Sequence, residues 1–168
     1  MNKDELANEM LDYAYAHSLR KQWGYSASEF SHFWHSVKHQ QKRYMGEDYW
    51  GNHLHPVAVL CANHSIGAID VAYLHDILED TDCTEELLRD FFDKDVVDDV
   101  VLLTHIRSEP RELYYKKIKT SPRALTVKMA DVAHNISCLT NLTDIELRNR
   151  LTKKYMKAIK CLMLEDEE

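Results

Sequence analysis

Along most of this chain apolar side chains return at every third or fourth position, the spacing of a helix that buries one stripe. In "DELANEMLDYAYAHSLRKQ", Leu6, Met10, Leu11 and Ala14 share such a stripe and predict a first helix. "GYSASEF" reads as a turn in which Ser26 or Ser28 caps a helix over residues 28–41. Gly46 and Gly51 bracket a loop, "MGEDYWGNHL". "HPVAVLCAN" then starts a helix with Pro56 at its first position, where the missing N–H costs nothing. "GAIDVAYLHDIL" is the next helix and is largely apolar. Asp82 or Thr84 caps a short helix, "TEELLRDFF", and residues 95–106 form another. "RELYYKKIK" follows Pro110, and the apolar "RALTVKMADVAHNISCL" follows Pro122. An amphipathic helix over residues 143–164 precedes the acidic tail "EDEE". The pattern predicts roughly eight helices and no sheet, an all-α fold.

Composition supports this reading. Four Gly and three Pro in 168 residues leave few forced turns, whereas sandwiches and barrels need many. The length fits one domain with a sizeable core. Cys61, Cys83, Cys138 and Cys161 lie far apart without a CxxC pair, so neither a disulfide framework nor a zinc knuckle is expected. That usage, with the polar start "MNKDELANEMLDY" and no apolar run of about 20 residues, points to a cytoplasmic protein without a membrane span. A net charge of −7 with no basic block argues against long nucleic acids as partners. A small phosphorylated ligand stays possible where local cations and a metal offset the field.

Chemistry concentrates in "YLHDILEDTD", residues 73–82, which crowds carboxylates beside one imidazole. On a helix His75 and Glu79 neighbour each other, as do Asp76 and Asp80, while Leu74, Ile77 and Leu78 take the other side. A solvated face has the same pattern. In "LTVKMADVAHNISCL", Leu125, Met129, Val132 and Ile136 form an apolar stripe, and Asp131 falls on a second stripe with Val127, Asn135 and Cys138. A carboxylate there is buried and needs a partner: a salt bridge, a cap or a metal. His55 stands directly before Pro56 as a loop histidine, an N-cap or a ligand, with His53 and His64 as nearby competitors. Together His55, His75, Asp76 and Asp131 offer two imidazoles and two carboxylates, a set that suits a divalent manganese, iron or zinc ion. Glu79 and Asp80, one turn on, can then accept a proton from metal-bound water.

With these pieces in place the sequence resembles the HD superfamily of metal-dependent phosphohydrolases, in particular RelA/SpoT-type alarmone hydrolase domains and their small relatives. The resemblance rests on "KRYMGEDYWGNHLHPVAVL", on "AYLHDILEDTD" with "TEELLRDFFDKDVVDDVVLLTH", and on "LTVKMADVAHNISCL". It implies one HD domain over residues 1–168: a core at 37–142, a helical extension at 1–36 and a C-terminal helix at 143–164. It implies manganese held by His55, His75, Asp76 and Asp131, a water-activating pair in Glu79 and Asp80, Arg43 packing on guanine and Asn135 holding the nucleotide. Tyr114, Lys117 and Lys128 are further candidates for phosphate or base. Two departures stand out. Tyr44 replaces a second basic residue, and "NHLHP" replaces the usual "Y-I-N-H-P".

The expected activity is hydrolysis of the 3′-pyrophosphate of (p)ppGpp, a small nucleotide. One alternative is an HD phosphohydrolase for another nucleotide. The other is a non-catalytic nucleotide-binding or regulatory module that keeps the metal site.

Overall fold

Ser26 starts the described chain with a capping box: its hydroxyl accepts from the Glu29 N–H at 3.3 Å, and Glu29 accepts from the Ser26 N–H at 3.1 Å. A computed structural model describes residues 26–43, 47–64 and 67–164. The first expected helix, Tyr44 and the acidic tail lie outside these residues. Helix α1 spans Ala27–His32 and passes directly into a π-helical turn, Phe33–Lys38. The expected 28–41 helix is therefore not uniform. The wider winding brings Trp34 and His35, adjacent in sequence, both into the interior. A second π-helical turn, Trp50–Leu54, replaces the expected loop and runs straight into α2, His55–Cys61.

The expected 67–78 helix is broken. Helix α3 covers Ala68–Leu74, the chain turns at His75 and Asp76, and α4 resumes at Ile77–Asp80. At the break Asp76 adopts φ −102° and ψ 0°, and its carbonyl accepts from both Glu79 N (3.2 Å) and Asp80 N (2.8 Å). The remaining elements follow the apolar pattern closely. They are α5 (Glu85–Phe91), α6 (Lys94–Leu103), α7 (Arg111–Ile118), α8 (Pro122–Cys138), a 3₁₀ turn (Leu139–Asn141) and α9 (Ile145–Met163). Thr84, Ser121 and Asp144 cap α5, α8 and α9 through their side-chain oxygens. Among the described residues there is no strand, only an isolated bridge between Lys42 and Asp48. No helix among them is long and apolar enough to cross a membrane.

The core forms where α2, α3 and α8 pack on one another, with Leu54, Val57, Val71, Leu74 and Val127 fully enclosed. On the far side α9 packs across α7 and α8 through Tyr155, Ala158 and Leu162, a three-to-four-residue stripe. Arg123 of α8 ties down the other end. Its guanidinium contacts the buried Asp99 carboxylate and donates to Asp95 Oδ2 (2.9 Å) and the Asp95 carbonyl (2.7 Å). The same guanidinium lies over Gly67, which precedes α3 at φ +80°. A Cβ at Gly67 would meet Arg123 Nη1 at 2.9 Å.

Gly67→Ala therefore combines left-handed backbone strain, about 1–2 kcal/mol, with displacement of a buried ion pair. We expect a total loss of about 2 kcal/mol, seen in urea titration as a lower midpoint with an unchanged slope.

Candidate metal centre and cleft

The break after α3 decides where His75 points. Its Nδ1 donates to the Ala72 carbonyl at 2.7 Å, which fixes the tautomer and leaves Nε2 as the free lone pair. That nitrogen is fully buried, has no hydrogen-bond partner, and sits 3.1 Å from Asp76 Oδ2 and 3.9 Å from Asp131 Oδ1. The π-helical turn before α2 supplies the second imidazole, His53, whose Nε2 is 3.4 Å from Asp76 Oδ2 and 3.4 Å from Asp131 Oδ1. Donor atoms of His53, His75 and Asp131 all lie within 4.8 Å of one another, and all three residues are buried.

This group could hold a metal ion. Donors bonded to a first-row dication at about 2.1 Å stand about 3.0 Å apart at adjacent octahedral corners and about 3.4 Å apart at tetrahedral ones. The separations here, 3.1 to 3.9 Å, start at those values and run somewhat wider. Without a metal ion, the two carboxylates are balanced only by a proton on His75 and by Lys128.

Supporting groups hold each donor in place. Tyr49 Oη donates to Asp76 Oδ2 at 2.5 Å. Asn135 Nδ2 donates to Asp131 Oδ1 (2.5 Å) and to the Asp131 carbonyl (3.0 Å), and Lys128 Nζ lies 2.9 Å from Asp131 Oδ2. His53 Nδ1 meets His134 Nδ1 at 3.1 Å, and His134 Nε2 lies 3.7 Å from Cys138 Sγ. Outer hydrogen bonds of this kind set ligand orientation and basicity.

The electrostatics follow from that crowding. Burial opposes a charged imidazole at His75, but Asp76 and Asp131 outweigh it and push its pKa up to about 9. At His53 burial wins and the pKa falls. Burial disfavours the Asp76 carboxylate as well, yet the neighbouring imidazoles hold its pKa well below the usual range. Asp131 is held down against burial by Lys128 and then His75. Desolvation at the cleft wall, reinforced by Asp76 and Glu79, pushes Asp80 up to about 6. Glu79 is aimed by its neighbour: its Oε2 accepts the His105 backbone N–H at 3.2 Å.

The centre opens into a cleft of about 780 Å³ including its mouth. Of the residues expected at the site, His75, Asp76 and Asp131 converge, with Glu79 and Asp80 beside them in the cleft wall. Arg43, Lys128 and Asn135 line the same cleft, and Arg43 Nη2 donates to Asn135 Oδ1 at 3.1 Å. Tyr114 also lines it, but its hydroxyl is committed to the Leu103 carbonyl at 2.5 Å.

Two expected residues lie elsewhere. His55 is exposed, with Nδ1 at 2.7 Å from Tyr73 Oη and its ring stacked on Trp50 (5.3 Å, 24°). Residues two apart on a helical path point to nearly opposite sides, so His53 faces inward and His55 outward. The histidine of the centre is thus His53, in place of His55. Lys117 does not line the cleft and pairs with Glu109 at 3.2 Å. His64, the other competitor, lines a separate depression beside Arg123. Sequence reading missed His105, Arg111 and Lys154 in the cleft wall. Arg111 and Lys154 come from α7 and α9, which no local motif links to the HD stretch.

No family model matches the sequence. The chain is 30% identical to a probable guanosine-3′,5′-bis(diphosphate) 3′-pyrophosphohydrolase of Mycoplasma pneumoniae, covering 78% of this chain and 20% of that protein. It is 33% identical to the guanosine-3′,5′-bis(diphosphate) 3′-pyrophosphohydrolase of Aquifex aeolicus (70% and 18%) and 34% identical to that of Haemophilus influenzae (70% and 19%). The chain thus spans about a fifth of the length of these curated relatives. Among solved structures it superposes on a metazoan ortholog of SpoT, described as hydrolysing ppGpp and acting in starvation responses. That match has a TM-score of 0.70 at 26% identity, covering 82% of this chain and 83% of the other.

A bound dication should stabilise the fold by mass action, about 2.7 kcal/mol at 100 times its Kd, or about 5–10 °C for a chain of this size. Differential scanning fluorimetry with Mn²⁺ should show that rise in the wild type and in His55→Ala. It should vanish in His53→Ala. The reverse pattern would return the ligand role to His55.

Proposed function

We propose that this chain, an HD-type domain of the SpoT-like hydrolase kind, hydrolyses the 3′-pyrophosphate of (p)ppGpp with a divalent ion, manganese, held by His53, His75, Asp76 and Asp131. The observation that carries this reading is the convergence of those four side chains at the base of a cleft walled by cations. The relatives support it, since two are named guanosine-3′,5′-bis(diphosphate) 3′-pyrophosphohydrolases and the third a probable one. Likeness to the metazoan ortholog, described as hydrolysing ppGpp, adds to that support. When bound, the ion polarises the 3′-phosphoryl group and acidifies a water molecule.

The chain's own residues do the rest. Glu79, oriented by the His105 N–H, and Asp80, with a pKa near 6, are placed to take the proton of the attacking water. Lys128 is buried over the Tyr114 ring (5.6 Å) beside Asp131, which keeps it charged against its own desolvation. There it holds Asp131 and offsets charge on the phosphate. Arg43, braced by Asn135 Oδ1, is set at the cleft wall to cover the flat face of a base. Arg111 and Lys154, also in the cleft lining, suit the second phosphate group of a nucleotide phosphorylated at both ends of its ribose. Water attack at the 3′ position gives GDP and pyrophosphate from ppGpp.

With Mn²⁺ present, chromatography should show ppGpp converted to GDP and pyrophosphate. Glu79→Gln and Asp80→Asn should each slow turnover about 10²–10⁴-fold. Intact ppGpp alongside cleavage of another nucleotide would remove the substrate assignment.

The pH profile adds an independent reading. A base acts only when deprotonated, so activity should fall as pH drops through about 6, where Asp80 takes up a proton. An acidic limb unchanged in position in residual Asp80→Asn activity would assign the limb to another group.

A further inference from the structure

We propose that Tyr49 is a positioning residue for Asp76: it fixes the carboxylate so that its cluster-facing lone pair is presented to the metal. The proposal rests on the metal reading above and adds a residue to which the resemblance assigns no role. With His53 in the histidine place, "Y-I-N-H" falls on Trp50, Gly51, Asn52 and His53. The aromatic of that pattern is then Trp50, whose indole N–H donates to the Ser28 carbonyl at 3.1 Å and whose ring stacks on His55 and Tyr73, away from the centre. Tyr49, one residue earlier, turns the other way.

The geometry of Tyr49 is closely determined. Its ring stacks on the buried His35 (5.4 Å, 21°), packs at a tilt on His53 (5.1 Å, 54°), and carries the Arg43 guanidinium carbon 5.7 Å from its centroid. Its hydroxyl reaches Asp76 Oδ2 at 2.5 Å, the same oxygen that lies 3.1 Å from His75 Nε2 and 3.4 Å from His53 Nε2. A phenol has one proton and donates once. Spent on Asp76, that proton occupies one lone pair of Oδ2 and sets the carboxylate plane against the two imidazoles.

His35 makes the platform rigid. Its Nδ1 hydrogen-bonds the Gln41 side chain, and Gln41 Nε2 donates to the Asp80 carbonyl at 2.5 Å. The π-helical turn Phe33–Lys38 places His35 so that it backs the tyrosine and, through Gln41, the segment bearing Asp80. Removing the Tyr49 hydroxyl leaves the ring stack intact. What is lost is the donor that orients Asp76 and that also lies within reach of Asp80.

The test is calorimetric titration of the full chain with Mn²⁺, for wild type, Tyr49→Phe and Trp50→Phe, with thermal melts of each metal-free protein. We expect Tyr49→Phe to weaken Mn²⁺ binding about 10–100-fold, with kcat lowered and the KM for nucleotide little changed. Trp50→Phe, a packing change in the same turn, should leave the Mn²⁺ Kd within about threefold. Tyr49→Phe within threefold of wild type overturns the proposal, as does an equal loss in both variants, which would mark general loosening. A wild type that binds no Mn²⁺ overturns the metal reading itself. Wild-type binding with an unaffected Tyr49→Phe overturns only the role of Tyr49.

Discussion

Two carboxylates, Asp76 and Asp131, face one another's imidazole neighbours at the base of an otherwise apolar helix cluster, and the site follows from the need to compensate them. A buried carboxylate without partners is strongly disfavoured. Asp131 is met by Lys128, Asn135 and two imidazoles; Asp76 is met by Tyr49 and the same imidazoles. Such a network is a poor way to gain stability, since well-packed apolar side chains of the same volume serve as well or better. At the floor of a cleft the same network forms a pocket whose donor spacing could hold a metal ion. His75 Nε2 is the clearest sign, because it is fully buried against both carboxylates, where either a proton or a metal ion must balance their charge.

Departures from regular helix are what assemble this pocket. A continuous helix through residues 67–78 would set His75 and Asp76 about 100° apart. The break at these two residues instead lets both side chains approach Asp131 while Leu74 and Ile77 stay in the core. The π-helical turns act in the same way, one turning His53 inward and the other burying His35 beneath Tyr49. Each irregularity gives up ideal backbone bonding at a point where a functional side chain gains its direction.

The same contrast explains what the sequence could and could not reveal. Helices α5 to α9 follow their apolar stripes, and three of them a Thr, Ser or Asp cap, so periodicity found them within about three residues. His75, Asp76 and Asp131 were legible because a histidine–aspartate pair and a carboxylate on an apolar helix are both unusual. His53 was not distinguishable from His55, since a segment read as loop has no fixed side, and Pro56 drew attention to the wrong neighbour. Lys117 carries the charge expected of a phosphate ligand, but its partner is Glu109. Arg111 and Lys154 reach the cleft only because α7 and α9 pack together, a tertiary fact without a local signature.

Charge balance ties the pocket to its proposed ligand. Four acids (Asp76, Glu79, Asp80 and Asp131) and four bases (Arg43, Arg111, Lys128 and Lys154) line the cleft, so with neutral imidazoles it carries no net charge in a chain of net −7. A neutral cleft in a negative protein gives a polyphosphate little reason to enter. On the proposed reading a dication at the base makes the cleft positive by two, and the acids that hold it are the ones whose repulsion it cancels. The acidic crowding of the HD stretch thus becomes compatible with an anionic ligand once metal and ligand are considered together.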